Sequence, residues 1–197
     1  MHTNDESVVP FVRHGETTWK VEGRTQGQLD SPLTKKEISQ ARNLASQLRT
    51  EKLGVIISSP LGRAHQTASI LAKELGVTDV RKFEHFSERS EGVFQGLTRA
   101  EQTERYSDCF DEETGRVITD LVPGVEPAID FLRRVKIGAE EIGSISATTS
   151  IVVVTHAGVL QALVSLVTGE DLREVEVRLS FGFCEVVRFR SSELVFP

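Results

Sequence analysis

Two runs of β-forming residues in this chain end in the same way. "VVPFVRHG" covers Val8–Gly15 and "SIVVVTHAG" covers Ser150–Gly158. Each is apolar almost without a break, the pattern of a strand buried on both faces of a sheet. Each delivers a histidine, His14 or His156, followed within two residues by glycine. Ligands of open α/β sheets gather at the carboxyl ends of the strands. If the two strands lie side by side and parallel, both imidazoles meet at one such end, although they are far apart in the chain.

The segments between them alternate between strand and helix patterns. "LTKKEISQARNLASQLR" places Ile38, Ala41, Leu44, Ala45 and Leu48 on one helical face, with Thr34 and Glu37 spaced as a capping box. Gly54–Ser58 reads as a short strand. "SPLGRAHQTASILAKELG" follows as a helix, with Pro60 in its first turn and Gly76 at its exit. Val80–Phe86 reads as a further strand, and Leu97–Leu121 as a polar stretch without strong period. A helix is expected over Val125–Ile142 with Val125, Ile129, Leu132, Val135 and Ala139 inward and Gly143 as its stop. After the strand Ile151–Val154 come a short helix, Val159–Val167, and two strand-like segments, Val175–Leu179 and Cys184–Phe189. The alternation predicts one α/β domain over residues 1–197. It is a three-layer α/β/α sandwich with a mostly parallel central sheet and an antiparallel edge.

Composition excludes several classes. The chain has 197 residues, 26% charged and 39% hydrophobic, enough for one domain with a full core. A net charge of −6 gives no footprint for nucleic acid or an anionic membrane. No run of apolar residues is long enough to span a bilayer, and "MHTNDESVV" lacks the layout of a secretory leader. Cys109 and Cys184 are far apart without ligand spacing and read as reduced thiols, which places the chain in the cytoplasm. No HExxH motif or close His/Cys/Asp cluster appears, and neither GxGxxG nor GxxxxGK[ST] follows a strand, so no metal, nucleotide or other cofactor is expected. His65 and His85 read as structural or surface residues.

What remains is a set of residues suited to a small anionic phosphorylated metabolite. One of the two imidazoles could attack phosphorus while the other donates to the transferring oxygens. Arg13 stands beside the first histidine. Arg63 lies one turn into the helix that begins after Gly54–Ser58, so a guanidinium and a helix N-terminus near Leu61 together favour an anion. Glu88, in the loop after the next strand, is placed to protonate a departing alkoxide.

"RHGETTW", "GRTQGQLDSPLT", "SSPLGRAHQTA" and "THAG" occur in this order. Together they resemble the histidine phosphatase superfamily, in its branch with the cofactor-dependent phosphoglycerate mutases and many small phosphatases, over Val8 to about Phe189. The resemblance implies a phosphoglycerate mutase-like fold with His14 as nucleophile, forming a phosphohistidine. Arg13 and Arg63 clamp the phosphoryl oxygens and His156 stabilises the transferring group. In "FSERSEGVFQG" the family's acid aligns with Glu88 rather than Glu91. Glu16, Thr17, Gln26 and Gly27 shape the pocket rim. The chain departs from the family pattern at Lys20, where an asparagine is usual, at Ala157 and Glu37, where glycines are usual, and at Phe94-Gln95 in place of Trp-Glu. In "PGVEP", Glu126 keeps the family glutamate while Pro127 replaces a serine.

These readings converge on metal-independent hydrolysis of small phosphomonoesters. Two alternatives stay open: phosphoglycerate mutase-type transfer, and a phospho-ligand-binding module with little turnover. The short, carboxylate-rich stretch Leu97–Leu121 suits water access better than a glycerate clamp, which favours the phosphatase. The natural substrate stays open within small phosphorylated metabolites, and a homodimer is compatible with the sequence.

Overall fold

The computed structural model describes residues 7–196. The N-terminal segment read as lacking a leader lies mostly outside them. Five strands, β1 (Val8–Arg13), β2 (Val55–Ser58), β3 (Asp79–Lys82), β4 (Ile151–Thr155) and β5 (Val186–Arg190), form one sheet in the order β3-β2-β4-β1-β5. The first four are parallel; β5 runs antiparallel along β1 at the edge. β1 and β4 are therefore neighbours, with Phe11, Val12 and Arg13 opposite Val153, Val154 and Thr155. Pro10, which has no N–H to give, precedes that parallel pairing and lies opposite Arg188 of β5.

Side-chain alternation along the strands divides the core in two. Val9, Phe11, Val55, Ile57, Ile151 and Val153 point to one face, where α5 (Ala128–Ser146) and α6 (Ala157–Thr168) cover them. Val12, Ile56, Val152 and Val154 point to the other, under α2 (Lys35–Leu48) and α3 (Gly62–Leu75). Of the remaining helices, α1 (Thr18–Val21) follows β1, α4 (Arg99–Arg105) lies in the polar stretch, and α7 (Leu172–Arg178) follows α6. The result is the expected helix-sheet-helix arrangement with an antiparallel edge. Among the described residues, no helix is long and apolar enough to cross a membrane.

Several boundaries differ from the sequence reading, each for a physical reason. Val175–Leu179 is not a strand. Asp171 accepts from Arg173 N at 2.8 Å and starts α7 there, and Leu172 and Val175, three apart, are buried while Val177 is 72% exposed. The strand expected over Val80–Phe86 stops at Lys82; Glu84–Phe86 is a 3₁₀ turn that buries Phe86. Pro127 delays the start of α5 to Ala128, and Phe131, Val135, Ala139 and Ile142 face inward while Ile129 is 64% exposed. Ile38 likewise leaves the buried face of α2. Pro60 precedes α3, which begins at Gly62. The helical character of Leu97–Leu121 is concentrated in α4, which has a complete capping box between Thr98 and Glu101. Thr34 caps α2 by accepting from Glu37 N, but Glu37 does not return the bond. Its carboxylate is fully buried and accepts from Cys184 Sγ at 2.6 Å.

Gly143 does not end its helix. It lies inside α5, and so does Gly138. The two differ in what a methyl group would meet. At Gly138 a β-carbon would stand 2.7 Å from His85 Cβ and 3.1 Å from the Phe86 ring, a backbone-anchored wall that cannot swing away. At Gly143 the nearest atoms, on Ser191 and Leu194, are 3.5 Å and beyond, ordinary contact. Gly143→Ala should therefore stabilise the fold by about 0.5–1 kcal/mol through helix propensity. Gly138→Ala should destabilise it by roughly 1–3 kcal/mol through overpacking. Urea midpoints of the two variants, moving in opposite directions, check this; a shift of both in one direction contradicts it.

Candidate active site

The β1–β4 register fixes the centre of the site. His14 N donates to Thr155 O at 2.8 Å, continuing the parallel ladder one residue past each strand. The His14 and His156 rings stand 5.0 Å apart. His14 is almost wholly buried. Its Nδ1–H donates to Gly15 O at 2.7 Å, and its Nε2 accepts from Arg63 Nε at 3.2 Å. One nitrogen thus carries the proton and the other presents its lone pair. Burial, reinforced by Arg63, holds the imidazole well below the usual histidine pKa. His14 is therefore neutral at neutral pH, the state a nucleophile requires.

Arg63 is fully buried and held from three sides. Nη2 donates to Gly27 O at 2.6 Å; Nη1 donates to Leu29 O at 2.8 Å and to Asp30 Oδ1 at 2.9 Å. Asp30 also takes the first N–H groups of α3, from Gly62 at 2.5 Å and Arg63 at 3.3 Å. The helix N-terminus near Leu61, expected to receive an anion, is thus already capped by a carboxylate, and only the guanidinium of that motif faces the site. Gly27 has φ of +52° and its carbonyl is turned onto Arg63, so it holds the clamp.

A cavity of about 80 Å³ is lined by Arg13, His14, Lys20, Gln26, Gly27, Arg63, Glu88 and Ala157, all singled out from the sequence, together with Thr25 and Glu91. Arg13 is steered into it by the turn before β5: Nη1 donates to Phe181 O, and the guanidinium lies 4.0 Å above the Phe183 ring. Lys20 enters from the rim, its ammonium pKa lowered by burial and by Arg13. Gln26 is less free than expected. Its amide accepts from Thr17 Oγ1 at 2.9 Å and donates to Ser31 Oγ at 3.0 Å, so it braces the loop. Thr17 is fully buried as its partner rather than on the rim, while Glu16 accepts from Thr34 Oγ1 at 3.3 Å.

His156 stands one layer behind this wall. Its Nε2 is 2.7 Å from Ser59 Oγ, and its buried Nδ1 has no partner among the described residues. Ser59 Oγ also accepts from Leu61 N at 3.3 Å; when its own proton goes to His156 Nε2, the imidazole proton is on Nδ1. Burial and Arg63 keep this ring neutral as well. Glu88 accepts from Arg89 N at 2.9 Å and from Gly158 N at 3.3 Å, so its carboxylate sits on the first turn of α6. A β-carbon at Gly158 would collide with Glu88 Oε1, which explains the glycine after Ala157.

Sequence reasoning missed the parts that hold these groups. Asp30 orients Arg63 and Ser59 orients His156. Arg134 clamps the Glu88 loop, donating to the carbonyls of His85, Ser87 and Glu88 at 2.9, 2.7 and 3.0 Å, and pairs with both oxygens of Glu126 at 2.7 and 2.8 Å. Their signals were weak: an aspartate in a turn, a serine at a strand end, one of two adjacent arginines in a helix. Glu91 was set aside in favour of Glu88, yet both line the cavity. Burial and the nearby Glu88 raise the Glu91 carboxyl to about 7. A larger cavity, about 640 Å³, opens between Arg116–Thr119 and α7, and neither histidine nor cysteine is among its lining residues.

Comparisons with known proteins agree with this geometry. The chain is similar to a metal-independent phosphoserine phosphatase of Arabidopsis thaliana, 36% identical with 81% of this chain and 68% of that one covered. It is 34% identical to a probable phosphoglycerate mutase, GpmB, of an Enterobacter species, over 94% and 85% of the two chains. Among solved structures, Bacillus stearothermophilus YhfR superposes with a TM-score of 0.80 at 26% identity, over 92% and 89% of the chains. A mycobacterial glucosyl-3-phosphoglycerate phosphatase superposes with a TM-score of 0.76, also at 26% identity, over 92% and 90%. The family model described as histidine phosphatase superfamily, branch 1, matches residues 9–193. With two parallel strands that bring His14 to an arginine-lined pocket and His156 to within 5.0 Å of its ring, the chain belongs to the histidine phosphatase superfamily.

Proposed function

We propose that this protein hydrolyses small phosphomonoesters through a phosphohistidine on His14, without a metal ion. The observation that carries the reading is the state of His14: Nδ1 pinned to Gly15 O, and Nε2 presented to a pocket that also holds Arg13 and Arg63. Two guanidinium groups and the Lys20 ammonium supply the positive charge that a phosphoryl dianion needs. As the dianion docks, one of its oxygens offers Arg63 Nε a stronger, charged acceptor than the imidazole. The bond from Arg63 to His14 is then exchanged for one to phosphate, which frees the Nε2 lone pair for attack. The N–P bond forms as the ester P–O bond breaks. His156 donates from Nδ1 to the transferring group, and Glu88 gives a proton to the departing alkoxide. Glu88 then takes a proton from water, which attacks phosphohistidine and releases inorganic phosphate and neutral His14.

Quenched incubation with a phosphomonoester should trap acid-labile phosphate on His14. His14→Ala should lower kcat by more than about 10³-fold, because the covalent route has no substitute. Phosphate found on another side chain, or turnover that survives the substitution, overturns the assignment.

Glu88→Gln should act selectively. With alkyl phosphates, whose alkoxide must be protonated, kcat should fall by about 10²–10⁴-fold. With p-nitrophenyl phosphate, whose leaving group hardly needs a proton, the fall should be clearly smaller. Equal losses on both substrates would remove Glu88 from the acid role.

Mutase-type transfer is the competing reading, and the name of the Enterobacter relative keeps it in view. It needs a phosphoenzyme shielded from water. Incubation with 3-phosphoglycerate and a catalytic amount of 2,3-bisphosphoglycerate should release phosphate faster than it forms 2-phosphoglycerate; the opposite order would make the protein a mutase.

A further inference from the structure

The phosphate cavity does not end at Glu88. A second cavity, of about 280 Å³, continues from it and shares Glu88, Glu91 and Ala157 with its wall. Its other walls come from Arg89, Thr119, Gln161 and Glu176. Glu88 is the boundary between the two. In the mechanism above it touches the leaving oxygen, so the alcohol attached to that oxygen extends into the second cavity. The substrate is divided accordingly: phosphate among cations on one side, alcohol among carboxylates on the other.

From this arrangement we infer that the second cavity selects phosphomonoesters whose alcohol carries an ammonium group, with Glu91 as its specificity-determining residue and Glu176 in support, and that it rejects alcohols bearing a carboxylate. The inference rests on the phosphatase reading. Its physical basis is a shortage of positive charge. Three carboxylates line the chamber against one arginine, and that arginine is already engaged: Arg89 Nε donates to Glu126 O at 2.8 Å and its Nη1 lies 3.7 Å from Glu176. Glu126 itself is neutralised by Arg134. Glu91, by contrast, has no ion pair or side-chain hydrogen bond among the described residues, and Arg89 and, more weakly, Lys20 act on it only through their charge. A carboxylate in that position gains from a ligand cation what the protein does not provide. A second carboxylate brought there by the substrate would be repelled.

The charge state of Glu91 makes the selection depend on pH. With its carboxyl raised to about 7 by burial and by Glu88, Glu91 is mostly protonated on the acid side of neutrality and ionised on the alkaline side. Glu176 is raised in the same direction, also by burial. An alkyl ammonium stays charged throughout this range. The preference for it should therefore grow as pH rises through neutrality.

Three esters of nearly equal size test this: O-phosphoethanolamine, n-propyl phosphate and 2-phosphoglycolate, ending in an ammonium, a methyl and a carboxylate. In the wild type, kcat/KM for phosphoethanolamine should exceed that for propyl phosphate by roughly 10-fold or more on the alkaline side, as a charged hydrogen bond allows. Phosphoglycolate should fall below both. The phosphoethanolamine-to-propyl ratio cancels the titration of His14; with each rate referred to that ester's own concentration of phosphate dianion, because the ammonium lowers the phosphate pKa of phosphoethanolamine, the ratio should rise between about pH 6 and about pH 8. Glu91→Gln should flatten that rise and bring the ratio towards one. A ratio near one in the wild type at every pH, or one unchanged by Glu91→Gln, overturns the inference while leaving p-nitrophenyl phosphate turnover and the phosphatase reading intact. A wild type inert towards p-nitrophenyl phosphate overturns both. The wild-type pH profile decides even if the variant fails to fold.

Discussion

The parallel pairing of β1 with β4 is the constraint on which the site depends. Three residue pairs, Phe11–Val153, Val12–Val154 and Arg13–Thr155, set the register, and the bond from His14 N to Thr155 O extends it to the point where both chains leave the sheet. A slip of one residue would turn every side chain of one strand to the opposite face. Val12 would leave the layer it shares with Val152 and Val154, and Phe11 would leave the layer of Val153 and Phe86. The two apolar layers therefore fix the register, and the register fixes the separation of the imidazoles. The separation of the two rings here is a by-product of core packing, while the contacts to Gly15 O and Ser59 Oγ set the orientation of each ring.

The same economy governs the cations. Arg63 is a fully buried guanidinium, which is costly unless its donors are met. Two carbonyls and Asp30 take three of its five N–H donors, and Nε is directed at His14, where phosphate can replace it. Arg13 is held differently, by a carbonyl and an aromatic face, which fix the plane of the guanidinium without neutralising it. An arginine paired with a carboxylate on its far side and one stacked on a ring both keep their direction while facing an anion. Lysine at position 20 has no such support and acts as a mobile charge at the rim.

How much of this could be read in the sequence follows from the kind of signal each part leaves. The strands ending at His14 and His156 were legible because unbroken apolar runs and the residues after them lie in one short window. Arg13, Arg63, Glu88 and Ala157 were legible through local motifs. What was not legible depends on partners distant in the chain. Asp30 reads as an ordinary turn aspartate until α3 is placed beside it, and then it proves to occupy the helix end that seemed open to an anion. Val175–Leu179 alternates like a strand because only one of its valines is buried, and the cap at Asp171 that makes it a helix is a single side-chain bond. Gly143 looked like a helix stop because glycine usually is one; that α5 runs on through it, with Ser191 and Leu194 docked beside it, can be seen only in the folded structure. Arg134 is one of two adjacent arginines, and only tertiary structure shows which of them holds the Glu88 loop.

Glu88 connects the two electrostatic halves of the site. On the phosphate side, Arg13, Arg63 and Lys20 attract the dianion; on the alcohol side, Glu91 and Glu176 repel negative charge. Such a gradient orients a substrate before any specific contact is made, because reversing it would place phosphate among carboxylates. It also changes during the reaction. In the proposed mechanism, once the phosphoryl group is on His14 and the alcohol has left, the alcohol side keeps its carboxylates. A neutral water molecule enters that side at no electrostatic cost, whereas an anionic acceptor pays for each step towards Glu91. The wall proposed to favour a cationic leaving group would thus also favour water over phosphorylated acids as the second acceptor. Substrate choice and the balance between hydrolysis and transfer become one property of the same few side chains.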